Sequence, residues 1–368
     1  MKKNNLDTLR KKIDKIDKDI LKLIQKRGNL AINVGDIKSN DEPGKTLYKP
    51  ERESKILRSV IEGNSGPISN ERIRVIYKEL ISACLSLEEG LKVGYLGPEG
   101  THSEAAVLNH FGSKINRLPN STIDDVFYQV LNKEINLGVV PVENSSEGVI
   151  NTTLNCLADN KDIYITGEIY LNINHQLAGS KKFNVKDAIA IASHPQALGQ
   201  CNKWIERNIG SIKRLEMSSS AEAAKYAKEN SNILCIVNHL AVSKYKLKVI
   251  NENIQDYSEN KTRFLVVGRE KVGKTGNDKT SMLIQTENNP GALLGVLSPF
   301  EEKNINLSKI ETRPSRDIAN SHDFFIDCEG HQLDSKLKTI IKKIKDSGAS
   351  VRLLGSYPDF IWTPCLKI

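Results

Sequence analysis

The chain has 368 residues, 53 Lys and Arg against 45 Asp and Glu (net charge +8), and 39% apolar residues. That is the composition of an ordinary globular protein of two or three domains and excludes disordered, fibrous and membrane-embedded classes. Lysines are spread along the sequence and aromatics make up only 5%, so the positive charge points to small anionic substrates rather than to nucleic acid.

The N-terminal stretch MKKNNLDTLRKKIDKIDKD has no apolar core, so no signal peptide is expected there. No apolar run approaches the ~20 residues of a membrane span. Cys84, Cys156, Cys201, Cys235, Cys328 and Cys365 form no C-x-x-C pair. They fit reduced structural thiols and a cytoplasmic location better than a disulfide framework or a zinc site.

Residues 5–90 read as helical throughout. Leu6, Leu9, Ile13, Ile16, Ile20, Leu23, Leu30 and Val34 recur at three- and four-residue steps, which predicts one helix of about thirty residues. Pro50 starts a second helix that ends at Gly63-Asn64, and Ser69 or Asn70 caps a third. Two short helices cannot cover so long an apolar stripe, so an intertwined dimer is expected. Arg27 interrupts the stripe, and Lys38 stands eleven residues on, within roughly 20° of the same face at about 100° per residue. Arg10 lies roughly 100° away by the same geometry and points elsewhere, towards a partner chain. The first 91 residues carry 19 basic and 14 acidic side chains, an excess of 5.

The patterns L-x-x-L-R-x-x-I-D-x-x-D (6–17), K-R-x-x-L-A-x-x-V-G-x-x-K (26–38) and Y-x-P-x-R-E (48–53) resemble the all-helical chorismate mutases. The resemblance implies that Arg27, Arg52 and Arg10 of the partner subunit clamp two substrate carboxylates and that Glu53 holds a ring hydroxyl. Lys38 and Glu88 would donate to the ether oxygen. Glu88 stands where some relatives have glutamine, and a carboxyl donates only when protonated. Cys84 and Lys49 depart from the family's serine and acidic residue.

From Lys92 the pattern changes to short apolar runs alternating with helices: KVGYLG, INLGVVPVE, AIAIAS, ILCIVN and RFLVVG. That alternation predicts an α/β region with largely parallel strands. Polar clusters follow the strands at GPEGTHSEAA, ENSSEG and SHPQALGQC, where parallel sheets bind ligands and helix N-termini attract anions. G-Y-L-G-P-E-G-T-H-S, V-P-V-E-N-S-x-E-G, S-H-x-Q-x-L-x-Q-C and N-x-T-R-F are similar to prephenate dehydratases over residues 92–272. The resemblance implies a two-lobed fold like that of periplasmic binding proteins. It makes Thr262 the residue that assists loss of the ring hydroxyl, with Arg263 on a carboxylate and Phe264 as packing. Thr101, Ser103, Asn144, Ser145, Ser193, His194 and Gln200 would bind substrate, His194 as a structural or orienting residue rather than a general acid. No metal or cofactor is implied.

Residues 268–275, GREKVGKT, spell a phosphate-loop pattern letter for letter. A true phosphate loop opens a helix immediately afterwards, whereas here Gly276-Asn277-Asp278 and a strand follow. The segment is expected to be a linker.

Residues 279–360 read strand, helix, strand, strand, helix, strand, the ferredoxin-like order. N-P-G-A-L-L (289–294) and I-E-T-R-P (310–314) resemble the ACT domains, which implies phenylalanine bound by Gly291, Ala292, Leu293, Leu294, Glu311, Thr312, Arg313 and Pro314. The three regions, 1–91, 92–272 and 279–360, resemble in this order the bifunctional chorismate mutase–prephenate dehydratases of phenylalanine biosynthesis. The expected assembly is a homodimer or tetramer, with chorismate, prephenate and phenylalanine as ligands.

Overall fold

The structure, a computed structural model, describes residues 2–41, 48–87, 90–182, 188–315 and 321–359. It opens with α1 (Lys2–Asp41), a helix of 40 residues, ten longer than its apolar repeat predicts. α2 (Pro50–Glu62) carries Pro50 in its first turn and closes on Gly63. α3 (Asn70–Leu85) is capped by Ser69, whose hydroxyl accepts the Arg72 amide. The apolar stripe of α1 stays open in a single chain, with Leu23 66% exposed and Ile13, Ile16 and Ile20 alongside it.

The α/β region consists of β1 (Lys92–Leu96), α4 (His102–Phe111), β2 (Asn116–Asn120), α5 (Ile123–Leu131), β3 (Leu137–Asn144), β4 (Gly148–Val149), α6 (Asn151–Asp159) and β5 (Tyr164–Asn172). The chain then crosses into a second lobe: β6 (Gln176–Gly179), β7 (Ala190–Ser193), α7 (Pro195–Gln200), α8 (Asn202–Asn208), β8 (Lys213–Glu216), α9 (Ser220–Glu229), β9 (Ile233–Val237), α10 (His239–Tyr245) and β10 (Lys248–Asn251). It returns through β11 (Lys261–Gly268). The first sheet has the order β2-β1-β3-β11-β5 with β4 on β3, and the second β10-β6-β9-β7-β8. The expectation of largely parallel strands holds only for β2-β1-β3 and for β9-β7-β8. β11 runs antiparallel to both of its neighbours, because the chain that left the first lobe must come back into the middle of its sheet.

The third unit is β12 (Asp278–Glu287), α11 (Ala292–Glu302), β13 (Leu307–Pro314), β14 (Ser321–Glu329), α12 (Ser335–Asp346) and β15 (Ser350–Pro358). Its sheet, β13-β14-β12-β15, is antiparallel throughout, the predicted βαββαβ order. This unit does not hang free. Leu283, Phe325, Leu354 and Tyr357 share one core with Phe127, Val140 and Ile165 of the first lobe. At Gly355 an added Cβ would stand 2.1 Å from the Ile165 carbonyl oxygen, so glycine is what lets β15 lie against β5.

No helix follows GREKVGKT. Lys274 ion-pairs with Asp334, the Thr275 amide donates to Asp278 (2.9 Å) and Arg58 of α2 donates to the Asn277 carbonyl (2.8 Å). These groups are occupied by protein partners, and the linker reading stands. Cys84, Cys156, Cys201, Cys235 and Cys328 are buried free thiols, and Cys365 lies outside the described residues.

Candidate functional sites

In the helical unit, half-buried Arg27 crosses from α1 to α3, donating to the Leu80 carbonyl (3.4 Å) and to Cys84 Sγ (2.7 Å). Cys84 thus takes part in holding the guanidinium. Lys38 is half-buried and Arg52 exposed. Glu53 is 6% exposed. Burial raises its pKa, opposed by the charge of Lys78 and by the Tyr48 hydroxyl. Arg10 has a side chain 66% exposed and pairs locally with Asp7. It lies seventeen residues, about 25 Å of helix, from Arg27, so one chain cannot bring both to one pocket. Glu88 lies outside the described residues.

The second constellation forms where the two lobes face each other. Thr262 and Asn144 are register partners on β11 and β3, at the carboxyl end of β3. Asn144 Nδ2 donates to Thr262 Oγ1 (2.7 Å) and lies 3.3 Å from Asn260 Oδ1. Because the Thr262 oxygen already accepts that bond, its own hydrogen is free to donate. Ser145 Oγ donates to Asn260 Oδ1 (3.2 Å) and accepts the Lys261 amide (2.9 Å), which fixes the strand end. Three residues from three elements form a further group. His102 opens α4, His175 follows β5, and Gln200 ends α7. His175 Nε2 is 2.8 Å from Gln200 Oε1, and the two imidazoles meet edge to face at 5.7 Å. Burial, with His175 adding, lowers the His102 pKa to about 3, and burial also lowers that of His175. Both rings are neutral donor–acceptor groups at physiological pH. Buried nitrogens of His102, His175, Gln200 and Asn260 have no partner among the described residues.

The other expected residues divide. Thr101 caps α4, accepting the Glu104 amide and donating to the Leu96 carbonyl (3.3 Å), and Ser103 is buried in the first turn. His194 caps α7, its Nδ1 accepting the Gln196 amide (3.3 Å), an orienting role for the helix. Phe264 is core packing. Ser193 is a correction. It is fully buried and donates to the Ile236 carbonyl (2.6 Å), so it braces β7 against β9 rather than lining the cleft. Arg263 is a second correction. Strand alternation points it away from Thr262, to Glu168 (2.7 Å) and Asp327 (2.6 Å). Lys279 joins Glu168 at 2.5 Å. Burial disfavours the guanidinium charge, but Asp327, Tyr357 and Glu168 outweigh it and hold the Arg263 pKa well above the usual value. With two carboxylates already bound to it, Arg263 serves the junction with the third unit and not a substrate carboxylate.

Asn260, His102 and His175 were not expected from the sequence. Asn260 was legible as the first letter of N-x-T-R-F. His175 sits in LNINHQL, a polar residue immediately before β6, and nothing local marks it.

In the third unit, Gly291 adopts a left-handed conformation (φ 84°) ahead of α11, which favours glycine. Leu293 and Leu294 are exposed. β13 is an edge strand carrying Glu311, Thr312, Arg313 and Pro314. Arg313 reaches Asn155 of α6 and stacks on Phe325 at 4.7 Å. Lys309 ion-pairs with Glu143 at 2.5 Å, one residue from Asn144.

Family comparisons match three segments. The model described as Chorismate mutase type II covers residues 9–89, Prephenate dehydratase 93–272, and ACT domain 280–346. A bifunctional chorismate mutase/prephenate dehydratase of Stutzerimonas stutzeri is 42% identical over 96% of this chain and 98% of its own length. One from Aquifex aeolicus is 40% identical over the same shares. Among solved structures, prephenate dehydratase from Arthrobacter aurescens in complex with L-Phe superposes with a TM-score of 0.68 at 29% identity, over 75% of this chain and 92% of that one.

Proposed function

The chain belongs to the bifunctional chorismate mutase/prephenate dehydratase family, and on that premise we propose how its residues divide the two reactions. It is an enzyme that rearranges chorismate to prephenate, then dehydrates and decarboxylates prephenate to phenylpyruvate. The first reaction is pericyclic and needs neither nucleophile nor base; it needs a clamped conformer and fixed donors at the developing oxygen charge. Arg27, Arg52 and Arg10 of the partner subunit take the two carboxylates, Glu53 the ring hydroxyl, and Lys38 with Glu88 the ether oxygen. The 25 Å of helix between Arg10 and Arg27 and the open stripe of α1 both support a site completed by a second copy. Equilibrium sedimentation should give a dimer or larger assembly. Ile13→Asp with Ile16→Asp should yield monomers with lost mutase turnover and retained dehydratase turnover.

The second reaction takes place between the lobes. What supports it is the donor hydrogen left on Thr262 in the cluster with Asn144 and Asn260, together with the buried nitrogens of Asn260, Gln200 and neutral His102 and His175 that have no partner among the described residues. Thr262 assists departure of the ring hydroxide as the carboxylate leaves as carbon dioxide, and the amide and imidazole groups orient the anion. No general base is required by that route.

Phenylalanine acts as feedback inhibitor at Gly291–Leu294 and 311–314. Supporting this, the solved relative holds L-Phe, and β13 touches β3, the strand that carries Asn144, through Lys309–Glu143. Purified protein given chorismate should release prephenate and then phenylpyruvate, the second step slowing as phenylalanine is added. Prephenate alone would refute the dehydratase assignment, and absence of any product would refute both.

A further inference from the structure

β3 and β11 carry the dehydratase pair on one face and a second pair of residues on the other. Asn144 and Thr262 are register partners, and so are the residues beside them, Glu143 and Arg263. Successive strand residues point to opposite sides, so Glu143 and Arg263 turn away from Asn144 and Thr262 and meet the third unit. Arg263 reaches Asp327 at 2.6 Å, and Lys309 Nζ donates to Glu143 Oε2 at 2.5 Å. Lys309 and Asp327 are themselves register partners on β13 and β14, so the two ion pairs form one patch.

β13 is divided in the same way. Lys309, Glu311 and Arg313 are half-buried and alternate with exposed Ile310, Thr312 and Pro314. The first set pairs with Asp327, Phe325 and Asp323, on the face where Phe325 enters the core shared with the first lobe. Ile310 and Thr312 pair with Ile326 and Phe324, which share a core with Val296 and Phe300 of α11. The first turn of α11 carries the proposed effector residues. β13 therefore turns one face to α11 and the other to the dehydratase lobe. From that second face Arg313 also holds Asn155 of α6, the helix that follows β4, and β4 pairs with Glu143 and Asn144. Among the described residues β13 has a single strand neighbour, β14.

We infer that the Lys309–Glu143 ion pair carries the phenylalanine signal to the dehydratase site: a shift of β13 on effector binding moves Glu143 and, with it, the Asn144 amide that orients the Thr262 hydroxyl. The inference rests on the proposed phenylalanine site. Glu143 and Asn144 are consecutive, so the backbone cannot displace one without the other, and the Asn144–Thr262 bond of 2.7 Å is short enough to feel a small displacement. The neighbouring Arg263–Asp327 pair is buried and fixes β14 to β11, which gives the edge strand a firm point to move against. Lys309 and Glu143 are 15% and 39% exposed. An ion pair open to water adds little to stability, so its loss should spare the fold and the basal reaction.

The test uses the full-length protein with Lys309→Met, Glu143→Gln, the double variant and Lys309→Arg. Dehydratase kcat/KM with prephenate is measured without and with saturating phenylalanine, and phenylalanine binding is measured separately by equilibrium dialysis. Coupling between two sites typically changes an affinity about 5- to 150-fold. Lys309→Met and Glu143→Gln should each cut the inhibition factor roughly fivefold or more, while basal kcat/KM and the phenylalanine Kd stay within about threefold of the parent. The double variant should lose no more than either single one, because both remove the same contact. Lys309→Arg, which keeps the charge, should retain inhibition. Undiminished inhibition in Lys309→Met overturns the inference. So does a fall in basal kcat/KM or in phenylalanine binding large enough to account for the lost inhibition, since the pair would then be merely structural. A parent protein whose dehydratase activity phenylalanine leaves unchanged would instead remove the effector reading itself, and the inference with it.

Discussion

Thr262→Val should lower dehydratase kcat by about 10²–10³ while leaving KM for prephenate and the mutase reaction little changed, because one preorganised donor at a developing charge is typically worth that much. Valine keeps the shape but removes the oxygen that accepts from Asn144 at 2.7 Å and the hydrogen that is left free. The loss belongs in kcat, since leaving-group assistance exists only in the transition state. Thr262→Ser, which keeps the hydroxyl, should retain most turnover. Steady-state kinetics with prephenate settle the matter: a Thr262→Val enzyme within threefold of the parent would remove Thr262 from the chemistry.

The second large effect is on stability. Arg263→Met should destabilise the dehydratase lobe and its junction with the ACT domain by about 3–5 kcal/mol, the usual cost of stripping one partner from a buried ion pair. Glu168 keeps Lys279 at 2.5 Å, so the stranded group is Asp327, which loses its 2.6 Å partner. Adding Asp327→Leu to Arg263→Met should therefore recover part of the loss, because replacing a buried pair by apolar groups is often neutral. Denaturant unfolding of the three proteins measures this. Equal stability of Arg263→Met and parent would mean that the network contributes nothing.

Much of this enzyme is legible in its sequence because the information is local. The cap at Ser69, the proline start and glycine stop of α2, the βαββαβ order and the strand–linker reading of GREKVGKT all depend on neighbours in the chain. So do the motifs that carry Thr262, Asn144 and Arg27, and helical geometry alone separates Arg10 from Arg27. The direction of Arg263 was legible in principle, since adjacent strand residues face opposite sides, but the motif drew both residues into one site. What lay on its other side, Asp327 and Lys279, comes from a domain more than ten residues further on.

Tertiary structure decided the remainder. Ser193 reads as a cleft residue after a strand, yet its hydroxyl is consumed by the Ile236 carbonyl, forty-three residues away. His175 and Gln200 meet only because the chain crosses between lobes, and the return of β11 to the middle of its sheet is what sets Thr262 beside Asn144. Tyr48, read as part of a helical motif, is in fact packed in the dehydratase core. The sequence by itself determined which reactions the chain can carry and which local elements present the groups. Which of those groups remain free for substrate, and which are spent on holding two lobes and two flanking domains together, depends on long-range pairing. A buried polar atom takes whichever partner the fold brings within reach, and that partner is not written beside it in the chain.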